Sequence, residues 1–276
     1  MIARHIGGTG RTGTAILGGC LALHPDAVYF REPRFICDPG GLYDYLVGKV
    51  NADQFKTIIL DKFLRNLTTK LKTMETAELV DEFYNRDTVF AIGEDTLIGG
   101  PDRFIEGREF IEQLFGQLDR RYWIEKTPHT VRRVDLLYRM FGDDLRYVHL
   151  IREPKDIFAS LIHQRWGPKK PETFIRWYRE IMHDAQISWA QVPRDCYLVL
   201  RMETLVQKPH DVFAQVLRFF EIDYDVYWLH QTASGVTKKQ THVGRYEHDL
   251  SCRARVMIDQ DCGNIYRWWK DKEVQS

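Results

Sequence analysis

A glycine- and hydroxyl-rich turn close to the start of the chain constrains its fold more than any other stretch. Arg4–Gly7 reads as a short strand, Gly13–Leu23 reads as a helix, and Gly8-Thr9-Gly10-Arg11-Thr12 joins them. Glycines let a backbone turn tightly and approach a ligand, while the first N–H groups of a helix lack intrahelical partners and point at whatever anion lies in front of them. The unit is an anion cradle, and a phosphate-bearing ligand is its natural occupant.

The loop resembles a Walker A element but departs from it at two positions. In Gly8-x4-Gly13 the lysine position holds Thr14 and the magnesium-binding hydroxyl position holds Ala15, which disfavours ordinary ATP or GTP hydrolysis. The positive charge sits within the loop, at Arg11, in place to bridge a leaving phosphate and the group being transferred. A second block, Arg146–Ser160, reads as a buried strand, a turn marked by Pro154 and the start of a helix. Arg152 falls at the strand's carboxyl end and Ser160 about two helical turns later. A guanidinium and a hydroxyl so placed can grip one phosphate from two sides.

Further strands are predicted at Ala27–Phe30, Tyr122–Glu125, Tyr147–Ile151 and Tyr197–Arg201. Helices are predicted at Thr130–Phe141, Pro154–Arg165, Glu172–Gln191, His210–Glu221 and Arg253–Lys270. This alternation predicts an α/β fold with a mostly parallel sheet, helices on both faces and ligand groups gathered at the carboxyl ends of the strands. Arg11, Glu32, Lys126 and Arg152 all fall just past a predicted strand, a convergence that needs no knowledge of relatives. From about residue 38 to 121 sheet-like alternation is missing. Ala52–Met74 and Asp102–Asp119 read as helical there, with loops at Pro39-Gly40-Gly41 and Gly99-Gly100-Pro101. This helical insertion is expected to form an acceptor lid, although most of its residues are expected simply to pack. Residues 1–276 are expected to make a single domain.

Gly10-Arg11-Thr12-Gly13-Thr14 resembles the loop that opens sulfotransferases using 3′-phosphoadenosine-5′-phosphosulfate (PAPS), and Arg152 with Ser160 resembles the family's 3′-phosphate-binding pair. His24-Pro25-Asp26, Glu32-Pro33-Arg34, Trp123-Ile124-Glu125-Lys126-Thr127-Pro128 and Tyr197–Val206 with Pro209 are similar to the tyrosylprotein and bacterial branch more than to the cytosolic phenol and steroid enzymes. The resemblance implies a P-loop-type sulfotransferase that moves a sulfuryl group from PAPS to a hydroxyl-bearing acceptor, in line and without a metal, leaving 3′,5′-adenosine bisphosphate. It implies nucleotide binding by Gly10, Arg11, Thr12, Gly13, Thr14, Ala15, Arg152 and Ser160. Arg11 and Lys126 would be the catalytic cations and Glu32 the base. His129 competes for the base role, because the cytosolic enzymes carry a histidine just after their Lys-Thr pair; here Pro128 intervenes. A P-loop kinase and a catalytically silent nucleotide-binding module are the alternatives. Lys238, Lys239, His242 and Arg245 form a basic cluster that a solvated loop explains as readily as a nucleotide cover.

The chain's 39 basic residues balance 39 acidic ones, which argues against a nucleic-acid partner yet allows a local basic pocket for a small anion. Cys20, Cys37, Cys196, Cys252 and Cys262 are scattered without zinc-like spacing. No apolar run of about eighteen residues suggests a membrane span, and the first strand begins almost at Met1, which leaves no room for a signal peptide. A cytoplasmic enzyme is the expectation. Trp177, Trp189, Trp228, Trp268 and Trp269 are expected to be core or interface aromatics.

Overall fold

The structure is a computed structural model describing residues 1–60, 86–117, 120–236 and 242–273. Strands β1 (Ala3–Gly7), β2 (Ala27–Arg31), β3 (Tyr122–Lys126), β4 (Leu145–Ile151) and β5 (Tyr197–Arg201) form a sheet in the order β2-β3-β1-β4-β5. Each neighbouring pair is parallel, so the carboxyl ends of the strands open on one edge. The chain leaves β1 toward β2 and β3 on one side and later adds β4 and β5 on the other. The end of β1 is therefore the switch point at which open α/β sheets take ligands.

Side chains alternate along each strand and build a core on both faces. Tyr122, Ile124, Val148, Leu150, Leu198 and Leu200 pack with Leu17 and Leu21 of helix α1 (Thr14–Leu21) and with Val212, Phe213 and Val216. Trp123, Leu145, Tyr147, Tyr197 and Val199 pack on the opposite face with the helices Pro171–Trp189 and Cys252–Lys270. Trp269 is fully buried and sits edge-on to both Trp189 and Trp268, as expected for core aromatics.

Several predicted helices end elsewhere. Thr130–Phe141 divides in two: Pro128–Arg133 winds as a 3₁₀ turn, Arg133 leaves the helical region (φ −143°, ψ 44°), and the α-helix runs over Val134–Phe141. Pro154–Arg165 stops at Leu161. Lys169 Nζ reaches back to the carbonyls of Leu161, at 3.3 Å, Ile162, at 2.7 Å, and Gln164, taking acceptors that a longer helix would use. Helices at Leu42–Leu46, Arg86–Thr96, Met202–Gln207, Val226–Ser234 and Tyr246–Asp249 add to those read from periodicity.

In the insertion, Arg103–Gly116 is helical and begins at Asp102, whose side chain accepts the N–H groups of Phe104 and Ile105. Residues 52–60 are helical, while the remainder of the predicted Ala52–Met74 helix lies outside the described residues, as do Lys238 and Lys239. Phe55, Phe110 and Phe115 are buried with Phe30 and Trp123, and Phe30 stacks on Phe115 at 4.1 Å. The insertion's described residues thus form a packed layer on one face of the sheet. Buried Glu106 is satisfied within it, accepting from the Tyr45 hydroxyl and from the N–H groups of Gly99 and Gly100. Among the described residues no helix is long and apolar enough to cross a membrane.

Candidate active site

The loop after β1 takes the left-handed backbone at Gly10 (φ 89°), Arg11 (φ 60°) and Gly13 (φ 90°). At Gly13 a Cβ would also drive into the Met202 sulfur, so glycine is required there twice over. The first intrahelical bonds of α1 run from Ile16 N, at 2.9 Å, and Leu17 N, at 3.1 Å, to Gly13 O. The N–H groups of Thr14 and Ala15 consequently lead the helix toward the carboxyl edge of the sheet. At the loop's root, Gly8 N donates to Pro128 O at 2.9 Å, which ties the anion loop to the exit of β3.

Arg11, Glu32, Arg34 and His242 are four of the five described non-glycine residues with left-handed backbone, and all four line one cavity of about 690 Å³. Each costs about 1 kcal/mol or more to hold there. Backbone strain is thus concentrated around a cavity of ligand size.

One wall of the cavity carries arginines. Arg11 Nε donates to Ser160 Oγ at 2.9 Å, so the loop and the helix Pro154–Leu161 meet directly. Buried Arg152 donates from Nη1 to the Arg11 carbonyl at 3.0 Å and from Nη2 to the His242 carbonyl at 2.8 Å. Desolvation pushes the guanidinium of Arg11 down from its ordinary range, and the nearby charge of Arg245 adds to the effect. Arg152 is pushed down by burial, opposed by Asp156 and reinforced by Arg11 and Arg245. Three guanidinium groups therefore act on one another beside the cradle, an arrangement that an anion would relieve.

The facing wall is a compensated pair. Lys126, at the end of β3, is fully buried and donates to Glu32, whose own N–H bonds the Lys126 carbonyl at 2.7 Å. Burial lowers the lysine pKa, and Glu32 opposes that shift. Glu32 does not pair with Arg34 as a surface couple; Arg34 turns to Asp38, at 3.2 Å. His129 also lines the cavity, held on the 3₁₀ turn with its ring edge toward Trp177 at 6.4 Å. Burial, and then Arg132, push its pKa below the usual imidazole value, so it is a neutral proton acceptor at neutral pH.

The structure thus brings Gly10, Arg11, Gly13, Thr14, Ala15, Glu32, Lys126, Arg152 and Ser160 to one cavity, together with His129. It does not bring the Thr12 side chain there: Thr12 is buried beneath the loop, against Gly8. Met202, Trp166 and Cys37 belong to the cavity but were not singled out for it by the sequence, while His242, of the basic cluster, lines it as well. Met202 follows β5 directly, so the strand-end rule alone points to it. Trp166 stands in the bend before Gly167-Pro168, 64% exposed, where an aromatic residue in a polar bend is the legible signal. The Cys37 thiol is pushed up to about 12, chiefly by burial, and is no nucleophile.

A parallel sheet with a glycine loop at its switch point and arginines converging on a cavity defines an α/β protein with a cationic cavity at the carboxyl edge of its sheet. The Sulfotransferase family model matches residues 5–226, and the chain belongs to that family. Among solved structures it is similar to the sulfotransferase domain from the curacin biosynthetic pathway, with 14% identity over 94% of this chain and 96% of that one and a TM-score of 0.57. The sulfotransferase domain of the Synechococcus PCC 7002 olefin synthase aligns at 17% identity over 100% and 89%, TM-score 0.55. The sulfotransferase STF9 from Mycobacterium avium aligns at 12% over 95% and 76%, TM-score 0.51. No curated protein sequence gives a significant match. The protein is a sulfotransferase: an enzyme of sulfuryl transfer, sharing the fold of bacterial relatives.

Proposed function

We propose that the protein transfers a sulfuryl group from PAPS to a hydroxyl acceptor within a single domain, without a metal. The observation that carries this reading is the meeting of Arg11, Arg152 and Ser160 around the N-terminus of α1. The residues present fit such a donor: glycines without Cβ, the leading N–H groups of a helix and clustered guanidinium groups suit a ligand bearing several phosphates, and the cavity is of nucleotide size. When bound, the donor supplies a sulfur–oxygen bond whose cleavage leaves charge on a phosphate oxygen.

The chain's own groups divide the work. Gly10, Arg11, Thr12, Gly13, Thr14 and Ala15 cradle the 5′ end, Thr12 through its backbone because its side chain lies beneath the loop. Arg152 and Ser160 hold the 3′-phosphate. Arg11 and Lys126 neutralise the leaving phosphate oxygen with fixed cations, a contribution that needs no reorganisation during transfer. Ala15 stands where a magnesium-binding hydroxyl would be, which supports metal independence. Glu32 Oε accepts the acceptor's proton as the new oxygen–sulfur bond forms. A second reading, favoured by the neutral His129 ring on the same cavity, gives that proton to the imidazole.

The acceptor enters beside Glu32 and His129, at an edge of the cavity to which the insertion contributes Asp38. A cytoplasmic location and a place in the tyrosylprotein and bacterial branch belong to the same proposal. The test is transfer of labelled sulfate from PAPS to a panel of phenolic, carbohydrate and small-molecule hydroxyls in the presence of EDTA. Activity should survive the chelator; loss restored by magnesium contradicts the mechanism, and magnesium-dependent turnover of ATP in its place supports a kinase.

A further inference from the structure

Asp156 lies one turn after Arg152 and is 1% exposed. Its carboxylate accepts the Gly244 N–H at Oδ2, 2.8 Å, and the Tyr246 N–H at Oδ1, 3.2 Å, and it stands 3.7 Å from Arg152 Nη2. The same Nη2 donates to the His242 carbonyl at 2.8 Å. A segment far along the chain, residues 242–246, is therefore gripped at three backbone groups, those of the alternate residues His242, Gly244 and Tyr246, by two side chains of the 152–160 element. His242 is held left-handed (φ 53°), Gly244 is left-handed (φ 82°), and His242 lines the cavity. Neither side chain grips this segment for packing, because the partners are backbone N–H and C=O groups rather than apolar surface. The grip also reaches the anion loop, since Nη1 of the same arginine holds the Arg11 carbonyl.

We propose that Asp156 is a positioning residue that latches the 242–246 segment across the anion cavity and fixes the aim of Arg152 between that segment and the anion loop. The inference rests on the nucleotide reading above but goes beyond it, because it assigns the retention of the ligand to a carboxylate that never touches it. A buried carboxylate accepting two backbone N–H groups is hard to replace. An asparagine of the same size keeps one good acceptor and turns an NH₂ toward a donor. Opening of the latch frees Arg152 from its carboxylate and gives the ligand an exit.

The test is amide hydrogen exchange in the full chain, with and without 3′,5′-adenosine bisphosphate, beside stopped-flow dissociation of the same nucleotide. In Asp156→Asn, exchange at Gly244 and Tyr246 should rise at least about tenfold while the β4 amides exchange as before, and nucleotide dissociation should quicken about tenfold or more with little change in association. Unchanged exchange at Gly244 and Tyr246, or unchanged dissociation beside intact β4 protection, overturns the latch. Should the variant fail to fold, the wild-type chain decides: bisphosphate must slow exchange at Gly244 and Tyr246, and no slowing with bound nucleotide overturns the proposal. A wild-type chain that does not bind bisphosphate at all contradicts the nucleotide reading, which separates the two failures.

Discussion

The two walls of the cavity are built on opposite electrostatic plans. On the anion wall Arg11 and Arg152 donate to a hydroxyl and to backbone carbonyls and feel each other and Arg245. On the facing wall buried Lys126 is already matched by Glu32. The first wall is improved by an incoming anion; the second is complete before anything arrives. On the proposed reading the anion wall contributes most to affinity, although Arg152 is held by Asp156, and Glu32 and Lys126 of the facing wall contribute chiefly to turnover together with Arg11, because preset charges act where charge develops during the reaction.

The sharpest way to break that division is Glu32→Gln, which should lower kcat by roughly 10²–10⁴ while leaving the bisphosphate affinity nearly unchanged. His129→Ala should cost far less. Steady-state rates of both variants at saturating PAPS decide it, and a nearly active Glu32→Gln beside an inactive His129→Ala moves the base role to the imidazole. Lys126→Met comes next: loss of a preorganised cation at the leaving group should reduce kcat by about 10²–10³, again with a smaller change in nucleotide affinity by calorimetry.

Ser160→Ala probes the other wall with a smaller effect. One hydroxyl hydrogen bond to an anion is worth about 0.5–2 kcal/mol, so bisphosphate should bind roughly 2- to 30-fold more weakly, with kcat at saturation held. The smallest effect is a displacement of the pH profile. Burial favours neutral Lys126 and Glu32 favours its ammonium form; in Glu32→Gln the ammonium loses that support and its pKa falls further. The alkaline limb of whatever activity remains should therefore move to lower pH than in the wild type, measurable by rate against pH.

Much of this site was legible before the structure, for a physical reason. Strand-end residues in a parallel sheet are carried to one edge by topology alone, so Arg11, Glu32, Lys126 and Arg152 converge once the strands are recognised. What remained hidden was pairing. Glu32 and Arg34 are opposite charges two residues apart, yet with left-handed turns at both residues Arg34 pairs with Asp38 and Glu32 with Lys126. His129 was named as a competing base without a place for its ring, which the 3₁₀ turn Pro128–Arg133 sets at the cavity. The insertion was read as helical without its packing, because Phe55, Phe110 and Phe115 are chosen by a sheet face more than fifty residues away from some of them, and periodicity within one helix does not name the surface it covers.

The central claim is that the anion wall is made for a nucleotide with a 3′-phosphate, and calorimetric titration of the wild-type chain with 3′,5′-adenosine bisphosphate and with AMP tests it most directly. Charge-assisted bonds from Arg152 and Ser160 should contribute about 1.5–3 kcal/mol, so the bisphosphate should bind roughly 10- to 100-fold more tightly, and Arg152→Ala should erase the preference. Equal affinities for the two nucleotides, or an Arg152→Ala variant that still prefers the bisphosphate, would contradict the account.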